Sequence, residues 1–258
     1  MHLEKKSRSV GLARALSKLG YCSRARGFDL TRSGRVRLNG TLARNPETPV
    51  RLGKDRIEVD GNPIEAAARI YLIMNKPRGV VTTASDEKGR KTVYGYLEKD
   101  LPWLGPVGRL DKASEGLLLL TNDSEWAAKV MAPDAHLDKT YHVQIGVPAQ
   151  AALLDSMMQG VRTRTGEILR VKRASRLRGG HKNTWLEVIL DEGKNRQIRR
   201  IFESLGVEVL RLVRVAIGNV VLGELPKGGV RTLTHGEKSA LDRGLQAGSE
   251  RTPVSPAK

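Results

Sequence analysis

Three short segments contain residues whose types and spacing could do chemistry. The first is Gly108–Asp111, in which an arginine and an aspartate flank one leucine just ahead of the apolar run Leu117–Leu120. A buried strand of that kind is a rigid platform, and loops beside it hold side chains accurately. An ionised carboxylate there could act as a nucleophile or as a base. The alternative is a turn in which Asp111 merely pairs with Arg109.

The second and third segments add a tyrosine and a group of cations. Lys139–Tyr141 opens a predicted strand, where a tyrosine usually packs in a core or at its rim. Four cations crowd the start of a predicted helix: Lys194, Arg196, Arg199 and Arg200. Cations at this end oppose the helix dipole, so the pattern indicates a function. Phosphate binding would use both the charges and the free N–H groups; the alternative is a solvated basic face.

The overall charge indicates a polyanionic partner. The 258 residues carry a net charge of +17 with a pI near 10.3, and a polyanion would relieve the resulting self-repulsion. Nucleic acid is the first candidate, an anionic membrane surface the second, and a merely basic soluble protein the third. Leu117–Leu120 is far shorter than the ~20 residues of a membrane span. No apolar stretch follows the basic N-terminus as in a signal peptide, so we expect no membrane role.

Metal and cofactor sites are not indicated. The single cysteine, Cys22, excludes an intramolecular disulfide and a multi-cysteine metal site, and it is expected to be a small buried thiol rather than a nucleophile. The five histidines form no metal-ligand cluster, and neither a GxGxxG loop nor a P-loop occurs. We therefore expect no cofactor and no metal, and a reducing, cytoplasmic location.

The first sixty or so residues have the pattern of two helices and a small hairpin sheet. Leucines at helical spacing predict a first helix, and Ser23 can cap a second one that runs to about Arg32. Alternation from Val36 predicts a strand, Asn39–Gly40 predicts a hairpin turn, and Arg56–Asp60 predicts a second strand.

This region resembles the S4 RNA-binding module. The resembling residues are SKLGYCSRARGFDLTRSGRVRLNG, Ser17–Gly40, and the match covers roughly residues 10 to 60. Four arginines cluster on two short elements, as a surface that follows RNA phosphates requires: Arg24, Arg26, Arg35 and Arg37.

The remainder of the chain predicts an α+β fold with a mainly antiparallel sheet. Predicted strands are Ile70–Asn75, Thr140–Gly146, Thr184–Leu190 and Val207–Val215, and predicted helices are Ser124–Val130, Gln150–Gln159 and Asn195–Leu205. We expect an S4-like domain at 1–64, a linker or short helical turn at 65–69, a catalytic domain at 70–235 and a disordered basic tail at 236–258.

Taken together, the three segments closely resemble the pseudouridine synthases of the RsuA/RluB type. The resemblance spans about Ile70–Thr234 and rests on GRLDKASEGLLLLTND, KTY and EGKNRQIRR in this order. NKPRGVVTT, Asn75–Thr83, and the closing segment that begins VRVAIG also look like that family. One departure is Ser124, where members commonly carry glycine; it affects the loop and no catalytic position.

The resemblance implies roles for individual residues. Asp111 matches the catalytic aspartate, and Tyr141 matches the tyrosine that packs on the target base. Arg199 matches the basic residue that pairs with the aspartate, with the aliphatic Ile198 beside it. Arg109 matches an arginine that fills the gap left by a flipped nucleotide. Two further cations are expected to bind the substrate: Lys194 and Arg196.

The resemblance also implies the reaction. Uridine would be flipped out of the RNA, its bond between C1′ and N1 broken, and C1′ joined to C5. The expected partner is ribosomal RNA or a precursor of a ribosomal subunit, bound by a monomer. The alternatives are an inactive, ribosome-associated RNA-binding protein on the same scaffold and, in a third class, an RNA methyltransferase or nuclease. The sequence has neither a nucleotide-binding loop nor a metal-ligand cluster, which argues against the methyltransferase and the nuclease.

Overall fold

A computed structural model describes residues 9–84 and 88–249 of the chain. Its contacts divide the chain into two compact units. Among the described residues, the first comprises 9–71 together with Glu98–Gly105 and Leu120–Ser124, and the second comprises 72–84, 88–97, Pro106–Leu119 and 125–249.

The first unit contains two helices and short strands. Its elements are β1 (Val10–Gly11), α1 (Leu12–Lys18), α2 (Arg24–Arg32), β2 (Val36–Leu38), β3 (Thr41–Ala43), β4 (Pro49–Val50), β5 (Ile57–Val59) and β6 (Asn62–Pro63). Strands β3-β2-β5-β6 form a four-stranded sheet, and β1 pairs with β4. A small apolar core that includes Leu12, Leu16 and Ile57 joins helices and sheet.

Local signals account for this unit. Ser23 Oγ accepts a hydrogen bond from the Arg26 N–H at 3.0 Å, so it caps α2 as predicted. Asn39 and Gly40 both have positive φ, at 51° and 81°, which the predicted hairpin turn requires. Glu65–Arg69 forms neither helix nor strand, so the helical turn considered there does not form.

The second unit is built mainly on a nine-stranded sheet. The strands after β6 are β7 (Tyr71–Lys76), β8 (Gly105–Val107), β9 (Glu115–Thr121), β10 (Lys139–Ile145), β11 (Val161–Arg162), β12 (Ile168–Leu169), β13 (Arg173–Gly179), β14 (Thr184–Leu190), β15 (Val209–Ile217), β16 (Val220–Val221) and β17 (Val230–Thr232). The order is β13-β14-β10-β15-β9-β7-β17, with β16 on β15 and β8 on β9, and β11 pairs with β12 separately.

Helices accompany this sheet, and its pairing is mainly antiparallel. The helices are α3 (Ser124–Met131), α4 (Ala151–Gln159), α5 (Gln197–Ser204) and α6 (His235–Ser249), with 3₁₀ turns at Val93–Tyr96 and Pro133–Ala135. The pairs β10–β14, β10–β15, β13–β14, β15–β16 and β7–β17 are antiparallel, whereas β9–β15 is parallel. The α+β fold class is confirmed, and each predicted strand and helix forms within two residues of its predicted ends.

The parallel contact between β9 and β15 depends on a glycine. Its register places Glu115 opposite Val213 and Gly116 opposite Arg214. Gly116 has φ +101°, and a Cβ built there would clash with the backbone carbonyl oxygen of Arg214. Only glycine therefore permits these strands to approach so closely.

The tail prediction was wrong for residues 236–249, which belong to α6. Leu241 and Leu245 of this helix are buried, and this burial compensates for the loss of chain entropy. The overlooked signal is a capping box: Thr234 N–H donates to Glu237 Oε2 at 2.9 Å, and Glu237 N–H donates to Thr234 Oγ1 at 3.2 Å. The rest of the predicted tail lies outside the described residues.

Within the described part of the chain, every helix is too short or too polar to cross a membrane.

Candidate active site

A cleft of about 710 Å³ in the second unit collects most of the residues singled out from the sequence. Its lining includes residues from the loop between β8 and β9, from β10, from β15 and from the start of α5. Six predicted site residues line it: Arg109, Asp111, Tyr141, Lys194, Arg196 and Ile198. The elements that converge here are distant in sequence, so the sheet pairing creates the cleft.

Asp111 is half-buried in this cleft, and its loop is held by the backbone. Ser114 N–H donates to Asp111 O at 3.0 Å, closing a turn, and Thr82 Oγ1 donates to Leu110 O at 2.9 Å. Within residues 9–84 and 88–249, the Asp111 carboxylate forms neither a hydrogen bond nor an ion pair. The sequence alternative, a turn aspartate paired with Arg109, is therefore not what the side chain does. The carboxylate remains available to a substrate.

Lys76, which sequence analysis did not single out, anchors the same loop. This lysine is the last residue of β7 and is fully buried. Its Nζ donates to Pro77 O at 3.0 Å, Asp111 O at 3.1 Å and Ser114 O at 2.8 Å. Burial lowers the pKa of Lys76 to about 8, although the charges of Asp111 and Glu115 oppose that shift. A lysine at the end of the apolar stretch YLIMNK is the signal that could have found it.

Arg199 approaches Asp111 without the expected ion pair. Its Nη2 donates to Ala113 O at 3.0 Å, and no ion pair with Asp111 forms within 4.0 Å among the described residues. Arg199 thus donates to a backbone carbonyl oxygen of the Asp111 loop, Ala113 O, and not to the Asp111 carboxylate. Burial and then the Arg196 charge lower the pKa of Arg199, while the Asp111 charge raises it. The Arg199 Nε is buried without a partner, so this guanidinium retains a free donor.

Tyr141 and Ile198 provide the apolar side of the cleft. Tyr141 packs against the core formed by β10, β14 and α5, whose members include Val143, Val188 and Phe202. Ile198 is buried on α5. A β-bulge between Thr140 and Tyr141 in the β10–β15 pairing shifts the register at this point. Bulges commonly re-aim side chains beside active sites.

The cations at the start of α5 differ in their surroundings. Lys194 Nζ lies 3.5 Å from Glu167 and 3.4 Å from Glu192, and Arg200 Nη2 lies 2.6 Å from Glu167. These two charges are therefore partly neutralised at the surface, as the solvated-face alternative expects. Arg196 is exposed and adopts the left-handed conformation at φ 49°. Such backbone geometry is unfavourable for arginine, and it often occurs at functional sites.

A second residue that the sequence did not single out is an arginine in the lining of the cleft. Arg214 is 6% exposed, and its Nε donates to Leu117 O at 2.7 Å. Its Nη2 is buried without a partner. The arginine is part of the VRVAIG segment, so its neighbourhood was noted in the sequence, but its burial depends on long-range strand pairing.

Glu115, the first residue of β9 after the Asp111 loop, forms a charged cluster of its own. Its side chain is buried and lies 3.1 Å from Arg211 Nη2 and 3.0 Å from Lys227 Nζ. Burial alone would raise the pKa of Glu115, but the hydrogen bonds from Arg211 and Lys227 outweigh it and lower the pKa. The cluster helps to join β9 to β15.

The four arginines predicted to contact RNA lie in the first unit, and all four are exposed: Arg24, Arg26, Arg35 and Arg37. Arg35 Nε donates to Asp60 Oδ1 at 2.8 Å, and Arg37 Nη1 donates to Gly40 O at 2.9 Å. Arg24 and Arg26 lie in the first turn of α2. Arg24 Nη2 lies 3.9 Å from the exposed Glu47.

Among the residues that the structure describes, no group of three or more His, Cys, Asp or Glu side chains could hold a metal ion. Cys22 is buried as expected, and burial raises the pKa of its thiol to about 11. A thiol so rarely ionised is a poor nucleophile.

Comparison with known proteins adds two family matches. Residues 70–204 match the family described as RNA pseudouridylate synthase, and residues 10–57 match the S4 domain. The first match contains Asp111, Tyr141 and Arg199, and the second contains the four exposed arginines.

Individual relatives resemble almost the whole chain. "Ribosomal large subunit pseudouridine synthase B" of Bacillus subtilis (strain 168) is 36% identical over 89% of this chain and 94% of its own length. An "uncharacterized RNA pseudouridine synthase" of Aquifex aeolicus (strain VF5) is 36% identical over 90% of this chain and 93% of its own length. A solved structure of a pseudouridylate synthase is 28% identical, covers 90% of this chain and 100% of that chain, and has a TM-score of 0.64.

Proposed function

Because the chain belongs to the RNA pseudouridylate synthase family, we propose that it converts specific uridines of ribosomal RNA to pseudouridine with Asp111 as its catalytic residue. Membership makes the chain a pseudouridine synthase with an S4 domain in front. The residue roles and the course of the reaction are the parts that we propose.

The unpaired carboxylate of Asp111 is the observation that carries this proposal. It is presented in a cleft with Tyr141 and Ile198, while Lys76 holds the backbone of its loop from behind. Arg199 approaches from α5 and is bound to the same loop through Ala113. A carboxylate in this position can act as a nucleophile or as a base.

The proposed isomerisation of uridine moves the uracil from an N1 bond to a C5 bond on the same C1′ atom. The C1′–N1 bond breaks, and its electron pair passes to the uracil. The detached base turns, C5 bonds to C1′, the hydrogen leaves C5, and N1 gains a proton. Asp111 would either bond to C1′ and be displaced when C5 attacks, or remove the proton from C2′ and return it when C5 bonds to C1′. Tyr141 would hold the flat face of the base during the turn.

Several cations would bring the target nucleotide to the carboxylate. A base in a stacked helix is inaccessible, so the uridine must flip out. Arg109 would fill the vacated position, while Arg196 and Lys194 would contact phosphates near α5. The S4 domain would hold neighbouring RNA through its exposed arginines.

Ribosomal RNA is the substrate class that the relatives support. The Bacillus subtilis relative is named for the large ribosomal subunit, and the net charge of +17 suits a long polyanion. We place the reaction in the cytoplasm, carried out by a monomer without a cofactor.

Replacing Asp111 with asparagine tests the assignment. Tritium release from RNA labelled at uracil C5 measures the loss of the C5 hydrogen, and Asp111→Asn should abolish it without changing thermal stability or RNA affinity. Asp155→Asn, on the exposed side of α4, is the matched control and should release tritium normally. Activity of Asp111→Asn above roughly a few per cent of wild type would exclude a nucleophile or base role.

Mapping identifies the target. Pseudouridines in total RNA, detected by carbodiimide modification and primer extension, should lose at least one ribosomal RNA position when the gene is absent. An unchanged ribosomal RNA profile would contradict the proposed substrate.

A further inference from the structure

Arg214 is a buried charged residue to which the reaction outlined above gives no role. The residue is 6% exposed, its Nε is bound to Leu117 O, and its Nη2 is buried without a partner. Leaving a charged donor unsatisfied in a protein interior is expensive. A buried polar atom without a partner therefore calls for an explanation, and a ligand atom is one.

The position of Arg214 indicates which ligand atom it would meet. Strand pairing places Arg214 of β15 directly opposite Tyr141 of β10, and both residues line the cleft. Opposed residues of an antiparallel pair lie on the same face with their Cβ atoms about 5 Å apart. A base held flat on the Tyr141 ring would thus present an edge to the guanidinium.

The charge in this part of the cleft suits an anion. Burial and then the Arg214 charge lower the pKa of Lys139, which also lines the cleft. Lys76 and Arg199 add further cations near Asp111. When the C1′–N1 bond breaks, the uracil takes the electron pair, and the negative charge spreads over N1, O2 and O4.

We propose that Arg214 Nη2 donates a hydrogen bond to a carbonyl oxygen of the uracil and stabilises the negative charge that the base acquires as it leaves C1′. This inference rests on the proposed function. Arginine remains protonated throughout, so it acts as a fixed donor and transfers no proton. Donors already aimed at developing charge are among the largest contributions to enzymatic rates.

The test pairs an arginine substitution with a substitution in the base. Oligoribonucleotides carry uridine, 2-thiouridine or 4-thiouridine at the mapped target, because sulfur accepts hydrogen bonds less well than oxygen. Single-turnover isomerisation at saturating enzyme is followed by nucleoside chromatography for wild type, Arg214→Met and Arg214→Lys. Arg173→Met is the control, since it removes an exposed arginine from the same sheet but outside the cleft lining.

Arg214→Met should lower the isomerisation rate by roughly 100-fold, with RNA affinity changed by no more than about twofold, whereas Arg173→Met should stay near wild type. Replacing one uracil oxygen, O2 or O4, with sulfur should slow wild type more than it slows Arg214→Met. The ratio of the rate with uridine to the rate with that thiouridine should therefore be larger in wild type. Arg214→Lys keeps the charge and should fall between the two. If Arg214→Met does not fold, the same comparison with Arg214→Lys decides.

Two outcomes would overturn the inference. If the ratio of the uridine rate to the thiouridine rate is the same in wild type and Arg214→Met for both oxygens, Arg214 does not contact the uracil. Its role would then be the structural hydrogen bond to Leu117 O. Loss of RNA affinity with an unchanged rate would mean that Nη2 binds a phosphate instead. A wild-type enzyme that isomerises no uridine would refute the proposed function itself, and tritium release shows that separately.

Discussion

Replacing Lys76 with methionine removes a fully buried ammonium group whose three hydrogen bonds all go to backbone carbonyls in and near the Asp111 loop. Methionine fills a similar volume without a charge. The variant should fold, but the loop loses its anchor, and single-turnover isomerisation should become slower. The more specific expectation concerns how the stability of the protein depends on pH.

The magnitude follows from the pKa of Lys76. The value falls from 10.5 to about 8 in the folded protein, and a difference of about 2.5 corresponds to roughly 3 kcal/mol against the charged form. Because the folded pKa is the lower one, the unfolded chain binds more protons between about pH 8 and pH 10.5. Stability from this group therefore rises with pH through that window, and the full cost is present below it.

Urea denaturation of both proteins from about pH 7 to pH 10.5 measures this effect. The free energy of unfolding of wild type, minus that of Lys76→Met, should rise by up to about 3 kcal/mol across the range. Lys129→Met removes an exposed lysine and controls for the loss of one charge. If the difference in free energy of unfolding between the two proteins does not vary with pH, burial does not lower the pKa of this lysine.

Three further predictions concern other parts of the molecule. Arg199→Ala should lower the single-turnover rate by about 100-fold or more with little change in RNA affinity, whereas Arg200→Ala, which loses a surface ion pair, should affect RNA affinity at most; equal modest losses in both would contradict this. Gly116→Ala should lower the free energy of unfolding by roughly 2–4 kcal/mol in urea, because its Cβ has no space; a wild-type value would contradict it. Replacing Arg24 and Arg26 together with alanine should reduce the slope of log binding constant against log salt by about 1.5 and spare the rate at saturating enzyme; an unchanged slope would mean that these arginines are only solvated.

The parts of the fold that the sequence predicted are those with local signals. Helix α2 has a serine cap, the β2–β3 hairpin has Asn39–Gly40, and β9 has four consecutive leucines that are all buried. Helix α5 has apolar residues at helical spacing, so the sequence alone predicted which face of the helix is buried. In each case the information lies within a few residues of the element that it specifies.

The parts that escaped prediction depend on residues far apart in the chain. Lys76 becomes an anchor only because β7 ends beside the loop of Asp111, and Arg214 enters the cleft only because β15 lies between β9 and β10. The hydrogen bond from Arg199 to Ala113 O depends on the conformation of the Asp111 loop. Hydrophobic periodicity in the sequence does not predict the conformation of a loop. Lysine and arginine side chains are usually solvated, so their burial follows from strand pairing, and the apolar stretch that ends at Lys76 is only a weak local signal of it.

The close approach at Gly116 has a consequence for the newly made chain. About a hundred residues separate Gly116 from its partner Arg214, and long-range parallel pairing forms late because loop closure comes first. Synthesis proceeds from the N-terminus at roughly 5–20 residues per second, so the small core of α1, α2 and β2 is complete many seconds before β15 emerges. A chain interrupted in that interval would carry the RNA-binding module without a closed cleft. It could occupy RNA without modifying it and would compete with finished copies for their own substrate.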